Sequence, residues 1–280
     1  MIPLAEINNF SQRLKVPSET IEKDYVISWV LFCLSQSLLK NDFIFYGGTA
    51  IKRIYFDDHR FSEDIDLLST KKFDLDTILK ALNCLKYAQD EANILLTINR
   101  DNIIVVKDRI QMYVNYFGYD EIVGAPKEIR LDFAMNMDLY GKVIYKPVIE
   151  TYSDFKKINA KLSVMTVNTI LANKLGLLLD RTRNEPRDLF DIWFLLLRLD
   201  EFDYDFEQVC EAFKSKYGFR LSAKIILPNL KNVALKNNWS IRLSKQMPVL
   251  PDISVVVKDV EQKLKELFFE EFKEDDALFE

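Results

Sequence analysis

The run DFIFYGG at residues 42–48 constrains the chain more than any other feature, because an apolar, aromatic stretch that stops on two glycines reads as a buried strand entering a tight turn. Thr49-Ala50-Ile51-Lys52-Arg53-Ile54 then resumes a helical pattern, so Gly47-Gly48-Thr49 lies between a strand and a helix. Backbone N–H groups at such a helix start can hold phosphate oxygens, and glycine lets a ligand approach the backbone. Thr49 either adds a hydroxyl to that site or caps the helix. About 15 residues on, SEDIDLL reads as a second strand, and alternation sends Asp64 and Asp66 out of one face while Ile65 points into the core. Two carboxylates this close repel unless a cation lies between them, and a hard divalent ion, Mg2+, suits oxygen ligands. Mg2+ takes one or two carboxylates together with substrate phosphates, so a nucleoside triphosphate would complete its shell. Asp132 falls in the strand 128–133 with Arg130 on the same face, and it converges on the first two carboxylates if the strands are neighbours. Alone, an Asp-X-Asp is usually a solvated strand and a Gly-Gly usually a turn. The succession of strand, glycine turn, helix, acidic strand and second acidic strand carries the functional reading.

Around this corner the chain is organised in two halves. Residues 18–40 show helical spacing, and FDLDTILKALNCLKYAQDEA reads as a helix beside the second strand. From Asn93 to Phe117 the runs NILLTIN, IIVVKD and IQMYVNYF look like a meander of antiparallel strands. A turn at Gly124-Ala125-Pro126, a strand in KEIRLDFAMN and an edge strand in YKPVIE, where Pro147 cannot donate to a ladder, complete the sheet. From Ser163 onward the patterns are helical, at roughly 165–182, 186–199, 205–216, 220–236 and 253–273. The expected class is therefore α/β (α+β): a mixed sheet with flanking helices over residues 1–155, then an α-helical domain over 156–280, a frame that the resemblance described next makes nucleotidyltransferase-like. No signal peptide or membrane-length apolar run appears, which points to the cytoplasm, and Cys33, Cys84 and Cys210 stand apart as core cysteines.

YGGTAIKRIYFDDHRFSEDIDLL resembles the first signature of the AbiEii/AbiGii (MenT-like) toxins of the nucleotidyltransferase superfamily, and LANKLGLLLDRTRNEPRDLFDIWFLL resembles their later Lys and Arg-Asp-x-x-Asp signature. The resemblance spans roughly residues 17–200. It implies metal-binding carboxylates at Asp64 and Asp66, the glycine-turn hydroxyl at Thr49, and further site residues at Lys174 and at Asp188 or Asp191. Asp132 suits the superfamily's third carboxylate position. It also implies an RNA acceptor, with the acceptor end of tRNA as the foremost candidate, and a cognate antitoxin. Read without it, Lys174 and Arg181 share a helix face and can both reach a triphosphate, and Pro186 suits the first turn of the next helix. Asp188 and Asp191 then read as a helix-dipole carboxylate and a surface pair with Arg187. His59, the single histidine, reads as a solvent-facing loop residue.

The formal net charge of -5 argues against nucleic acid, but it conceals an asymmetry. From Ala212 to Pro251 there is no Asp or Glu, while Lys214, Lys216, Arg220, Lys224, Lys231, Lys236, Arg242 and Lys245 alternate with Phe213, Tyr217, Phe219 and Trp239. Such a stretch suits a phosphate backbone and exposed bases, or else forms amphipathic helices whose aromatics are core. Three functions follow: metal-dependent nucleotidyl transfer, a kinase-like phosphotransfer from the same corner, and an idle domain that binds RNA or a partner.

Overall fold

Strands in which buried and half-exposed residues alternate frame the computed structural model, which describes residues 1–119, 126–155, 158–180, 182–183 and 185–272. In chain order, α1 (Leu4–Leu14) and α2 (Ser18–Ser35) precede β1 (Ile44–Tyr46), α3 (Gly47–Ala50) with a π-helical turn Ile51–Tyr55, and β2 (Asp64–Leu68). Then come α4 (Leu75–Ala81), α5 (Lys86–Ala92), β3 (Leu96–Val106), β4 (Arg109–Tyr116), β5 (Lys127–Ala134), β6 (Val143–Pro147) and β7 (Lys161–Met165). They form a mixed sheet of order β3-β4-β5-β2-β1-β7-β6, in which β2 runs parallel to β5 and β1 parallel to β7. The acidic strand β2 is thus interior, and its register is pinned from both sides. Ile65, Leu67, Ile129, Leu131, Phe133, Met112 and Val114 are buried, so the alternate residues carry the polar face. α2 is buried on nearly every side from Ile21 to Ser35, as expected of a helix inside a core.

These elements belong to the first of two compact units, Met1–Leu139 with Val143–Met165; the second is Tyr140–Lys142 with Thr166–Glu280. The second unit holds α6 (Val167–Leu177), α7 (Pro186–Leu196), α8 (Phe206–Tyr217), α9 (Ala223–Ile226), α10 (Val233–Leu243) and α11 (Ile253–Leu267). Side chains of Thr166, Glu185, Asp205, Ser222, Asn232 and Asp252 each accept a backbone N–H at the starts of these helices. The short excursion Tyr140–Lys142 is knitted into this unit. Thr166 N–H donates to the Lys142 carbonyl at 3.0 Å, Lys142 N–H donates to Thr169 Oγ1 at 3.1 Å, and the Lys216 ammonium lies 4.3 Å over the Tyr140 ring.

Several elements differ from the sequence expectation. The helix expected over 18–40 ends at Ser35, and Leu38 is 84% exposed. The hydroxyls of Ser35 and Ser37 bond the carbonyls of Phe32 and Ala81, which offers the backbone an alternative to another helical turn. NILLTIN and IIVVKD form one strand, β3, whose pairing with β4 shifts register between Asn99 and Ile104. The single helix expected over 73–92 is α4, a 3-10 turn Leu82–Leu85 and α5. The helix expected over 220–236 is broken at Leu227–Lys231, where Pro228 lacks an N–H, before α10 restarts on the Asn232 cap. β7 was not anticipated, because strands were expected to cease before Ser163; with five residues it is too short to announce a period. Gly124 and Ala125 of the expected turn lie outside the described residues. No helix among the described residues is long and apolar enough to cross a membrane.

Candidate active site

Two clusters of charge arise, one in each unit. In the first, β1 leaves the sheet at Tyr46 and turns through Gly47 at φ +85°, a left-handed conformation that favours glycine. A β-carbon on Gly47 would collide with the Asp66 carboxylate, and one on Gly48 would stand 2.7 Å from Arg60 Nη2 and 3.4 Å from Ser62 Oγ. The two glycines therefore bring the backbone against a carboxylate and a buried guanidinium. Thr49 is buried, and its hydroxyl donates to the Asp64 carbonyl, which ties the helix start to β2 rather than capping α3.

On β2, Asp64 and Asp66 are half-buried on one face and Ile65 is buried on the other, as alternation requires. Tyr46 stands across from Asp66 on one side. On the other, Arg130 stands across from Asp64, and Asp132 across from Asp66. Like charges directly opposite on neighbouring strands destabilise a sheet, so this register calls for a cation. Arg130 supplies one positive charge: its Nη2 lies 2.7 Å from Asp64 Oδ2 and its Nε 2.9 Å from Asp132 Oδ2. Burial raises the proton affinity of Asp132, Arg130 opposes this, and the Asp64 charge adds to it; the net direction is up. On β4, Gln111 faces Asp132 and Tyr113 faces Arg130, and Gln111 Nε2 donates to the Tyr113 hydroxyl at 2.8 Å. Among the described residues no three His, Cys, Asp or Glu side chains stand close enough together to cage a metal ion. Asp64 and Asp66 fit Mg2+ nonetheless, since that ion needs only one or two carboxylates when phosphates complete its shell.

In the second unit, Lys174 on α6 and Asp188 and Asp191 on α7 converge. Lys174 Nζ lies 2.7 Å from Asp188 Oδ1 and 2.8 Å from Asp191 Oδ2, and Arg183 Nε lies 2.6 Å from Asp188 Oδ2. Lys174 is 6% exposed and Asp191 0%, so Asp191 is a buried carboxylate rather than the surface one expected, and Arg187 pairs with Glu185 at 3.1 Å. Burial pushes the Asp188 carboxyl up, but Lys174 and Arg183 outweigh it and hold it below the usual carboxylate range. Pro186 occupies the first turn of α7 as its chemistry predicts. Arg181 lies outside the described residues.

Other residues behave differently from expectation. His59 is 2% exposed, because the whole segment 59–62 is packed inward with Arg60 against Gly48. Of the basic stretch, Lys214, Arg220, Lys224, Lys231 and Lys236 are exposed, whereas Lys216 is half-buried and donates to Asn173 Oδ1. Phe213 and Trp239 are core, and Phe219 is exposed. Arg183 and the Gln111–Tyr113 pair carried no sequence signal of their own. Only strand neighbourhood, or a loop folding back on a helix, brings them to the carboxylates.

Comparison with known proteins adds the following. The family described as nucleotidyl transferase AbiEii toxin, type IV TA system, matches residues 29–266. Similar solved structures include MenT4, a nucleotidyltransferase toxin from Mycobacterium tuberculosis, at 16% identity and TM-score 0.67, covering 95% of this chain and 90% of that one. JHP933 from Helicobacter pylori is similar at 15% identity and TM-score 0.58, covering 94% of this chain and 97% of that one. At such identities the likeness is one of fold. No curated protein matches the sequence.

Proposed function

The chain belongs to the AbiEii nucleotidyltransferase toxins of type IV toxin–antitoxin systems, and from that premise we propose that it transfers a nucleotide from a nucleoside triphosphate to an RNA, the acceptor end of tRNA foremost, with Mg2+ held by Asp64 and Asp66. The family is one of enzymes with a cognate antitoxin. The observation that carries the proposed chemistry is the register of β2 against β5, with Asp66 directly across from Asp132 beside the Gly47 turn.

Mg2+ bound there would polarise the α-phosphate and neutralise charge that develops on the leaving pyrophosphate. The backbone N–H groups of the Gly47-Gly48 turn hold phosphate oxygens in this reading, and the Arg60 guanidinium beside Gly48 adds a positive charge. Asp132, whose proton affinity is raised, accepts the proton of the acceptor hydroxyl. The hydroxyl oxygen forms its bond to the α-phosphorus in line as the bond to the bridging oxygen of pyrophosphate breaks. Lys174 and Arg181 bind phosphate charge in this reading, and Asp188 and Asp191 hold the Lys174 ammonium in position. Lys214, Arg220, Lys224, Lys231 and Lys236 supply a basic surface for the RNA backbone.

The test uses purified full-length protein with Mg2+, α- or γ-labelled nucleoside triphosphates and total tRNA. Label passing from the α position to tRNA, and its loss in Asp66→Ala, is the expected result. Transfer of the γ label alone would make the protein a phosphotransferase. No transfer of either label, with growth inhibition intact in Asp66→Ala, would overturn the enzymatic reading of this corner.

A further inference from the structure

Three carboxylates stand on one sheet face, and a side-chain cation already lies against two of them. Asp66 belongs to the glycine side of the cluster, since its carboxylate fills the space above Gly47. Asp64 and Asp132 are joined from the other side by Arg130, whose Nη2 donates to Asp64 Oδ2 at 2.7 Å and whose Nε lies 2.9 Å from Asp132 Oδ2 as an ion pair. Arg130 is not a surface arm that happens to reach them. It stands on β5, between β2 and β4, directly across from Asp64 and from Tyr113, so backbone register brings the guanidinium to this spot. A guanidinium cannot lose its proton in a protein, so its charge is permanent. In a two-metal transfer the ions sit roughly 3.5–4 Å apart and each needs its own oxygen ligands. An ion between Asp64 and Asp132 would need the oxygens that face Arg130.

We propose that Arg130 takes the place of a second divalent ion, so that the site works with one metal on Asp64 and Asp66 and a built-in cation between Asp64 and Asp132. This rests on the nucleotidyl-transfer reading of the corner. In that arrangement Arg130 is a positioning residue: it keeps Asp132 oriented toward the acceptor hydroxyl and makes the attacking side of the site independent of metal concentration.

Metal counting tests this. Mn2+ is titrated into full-length protein holding one equivalent of a non-hydrolysable nucleoside triphosphate analogue, and bound ions are counted from the loss of the free Mn2+ electron paramagnetic resonance signal. Wild type is expected to bind one Mn2+ per chain. Arg130→Gln is expected to bind two, and its residual α-label transfer to rise with metal concentration over a range where wild type is already saturated. Two ions in wild type, or one in a folded Arg130→Gln, overturns the inference while leaving label transfer in wild type to decide the proposed function separately. Should Arg130→Gln not fold, the wild-type count and that of Arg130→Lys, expected at one, still decide. Wild type that binds no Mn2+ and moves no label would remove the proposed function itself.

Discussion

Asp66 faces like charge, because Asp132 stands directly across from it in the parallel ladder and Asp64 lies two residues away on the same face. Replacing it with Asn keeps the shape above Gly47 and removes one of the like charges. Asp66→Asn should therefore abolish nucleotidyl transfer yet raise stability in chelator-treated protein by about 0.2–1 kcal/mol, as read by urea denaturation. A less stable or equally stable variant would mean that the repulsion is already relieved. Lys174 has the opposite character: it is the buried partner of two buried carboxylates. Lys174→Met leaves Asp188 with Arg183 alone and should cost about 3–5 kcal/mol at pH 7. The pH dependence follows from the direction of the Asp188 shift. Its carboxyl is held below its unfolded value of about 3.9, so its contribution is fully present above that pH and is lost as pH falls through the folded value. In Lys174→Met the carboxylates lose their main counter-charge and take up protons more readily. The stability gap between variant and wild type should then narrow from pH 7 to pH 5, and a gap that stays constant would contradict this.

At the scale of elements, legibility in the sequence followed from whether a signal is local. The alternation of Asp64-Ile65-Asp66 and of Arg130-Leu131-Asp132 was readable because each is a run of one period, and Gly47-Gly48 because a turn needs few residues. Helix ends were not readable where a side chain competes for the backbone. Leu38 continues the apolar spacing of α2, yet the serine hydroxyls at Ser35 and Ser37 divert the chain before it. A paired experiment separates pattern from structure. Leu34→Ala, within the buried face, should cost about 2–5 kcal/mol, whereas Leu38→Glu should change stability by less than about 0.5 kcal/mol. β7 was illegible for another reason. Its five residues earn their strand from the partners β1 and β6, which lie far away in sequence or carry weak patterns of their own. Lys174, Asp188 and Asp191 were singled out by motif, but their burial was not legible, since a carboxylate at a helix start reads the same whether it faces water or a lysine.

Over the whole molecule, a net charge of -5 coexists with a 40-residue stretch, Ala212 to Pro251, that lacks acids. Most of its cations are exposed, while Phe213 and Trp239 serve the core. If that surface contacts an RNA backbone, affinity should fall with salt. Charge removal at Lys224, Lys231 and Lys236 together should then lower the slope of log affinity against log salt by about 0.7 for each lost contact with a single strand. An unchanged slope would assign the RNA to another surface. The division of the chain has a consequence of a different order. Because Tyr140–Lys142 belongs with the helices that begin only after Met165, the boundary between units is crossed three times rather than once. A single genetic crossover after Met165 would deliver the helical unit without the tripeptide on which Thr166, Thr169 and Lys216 depend. The two units are therefore poor material for shuffling at a single joint.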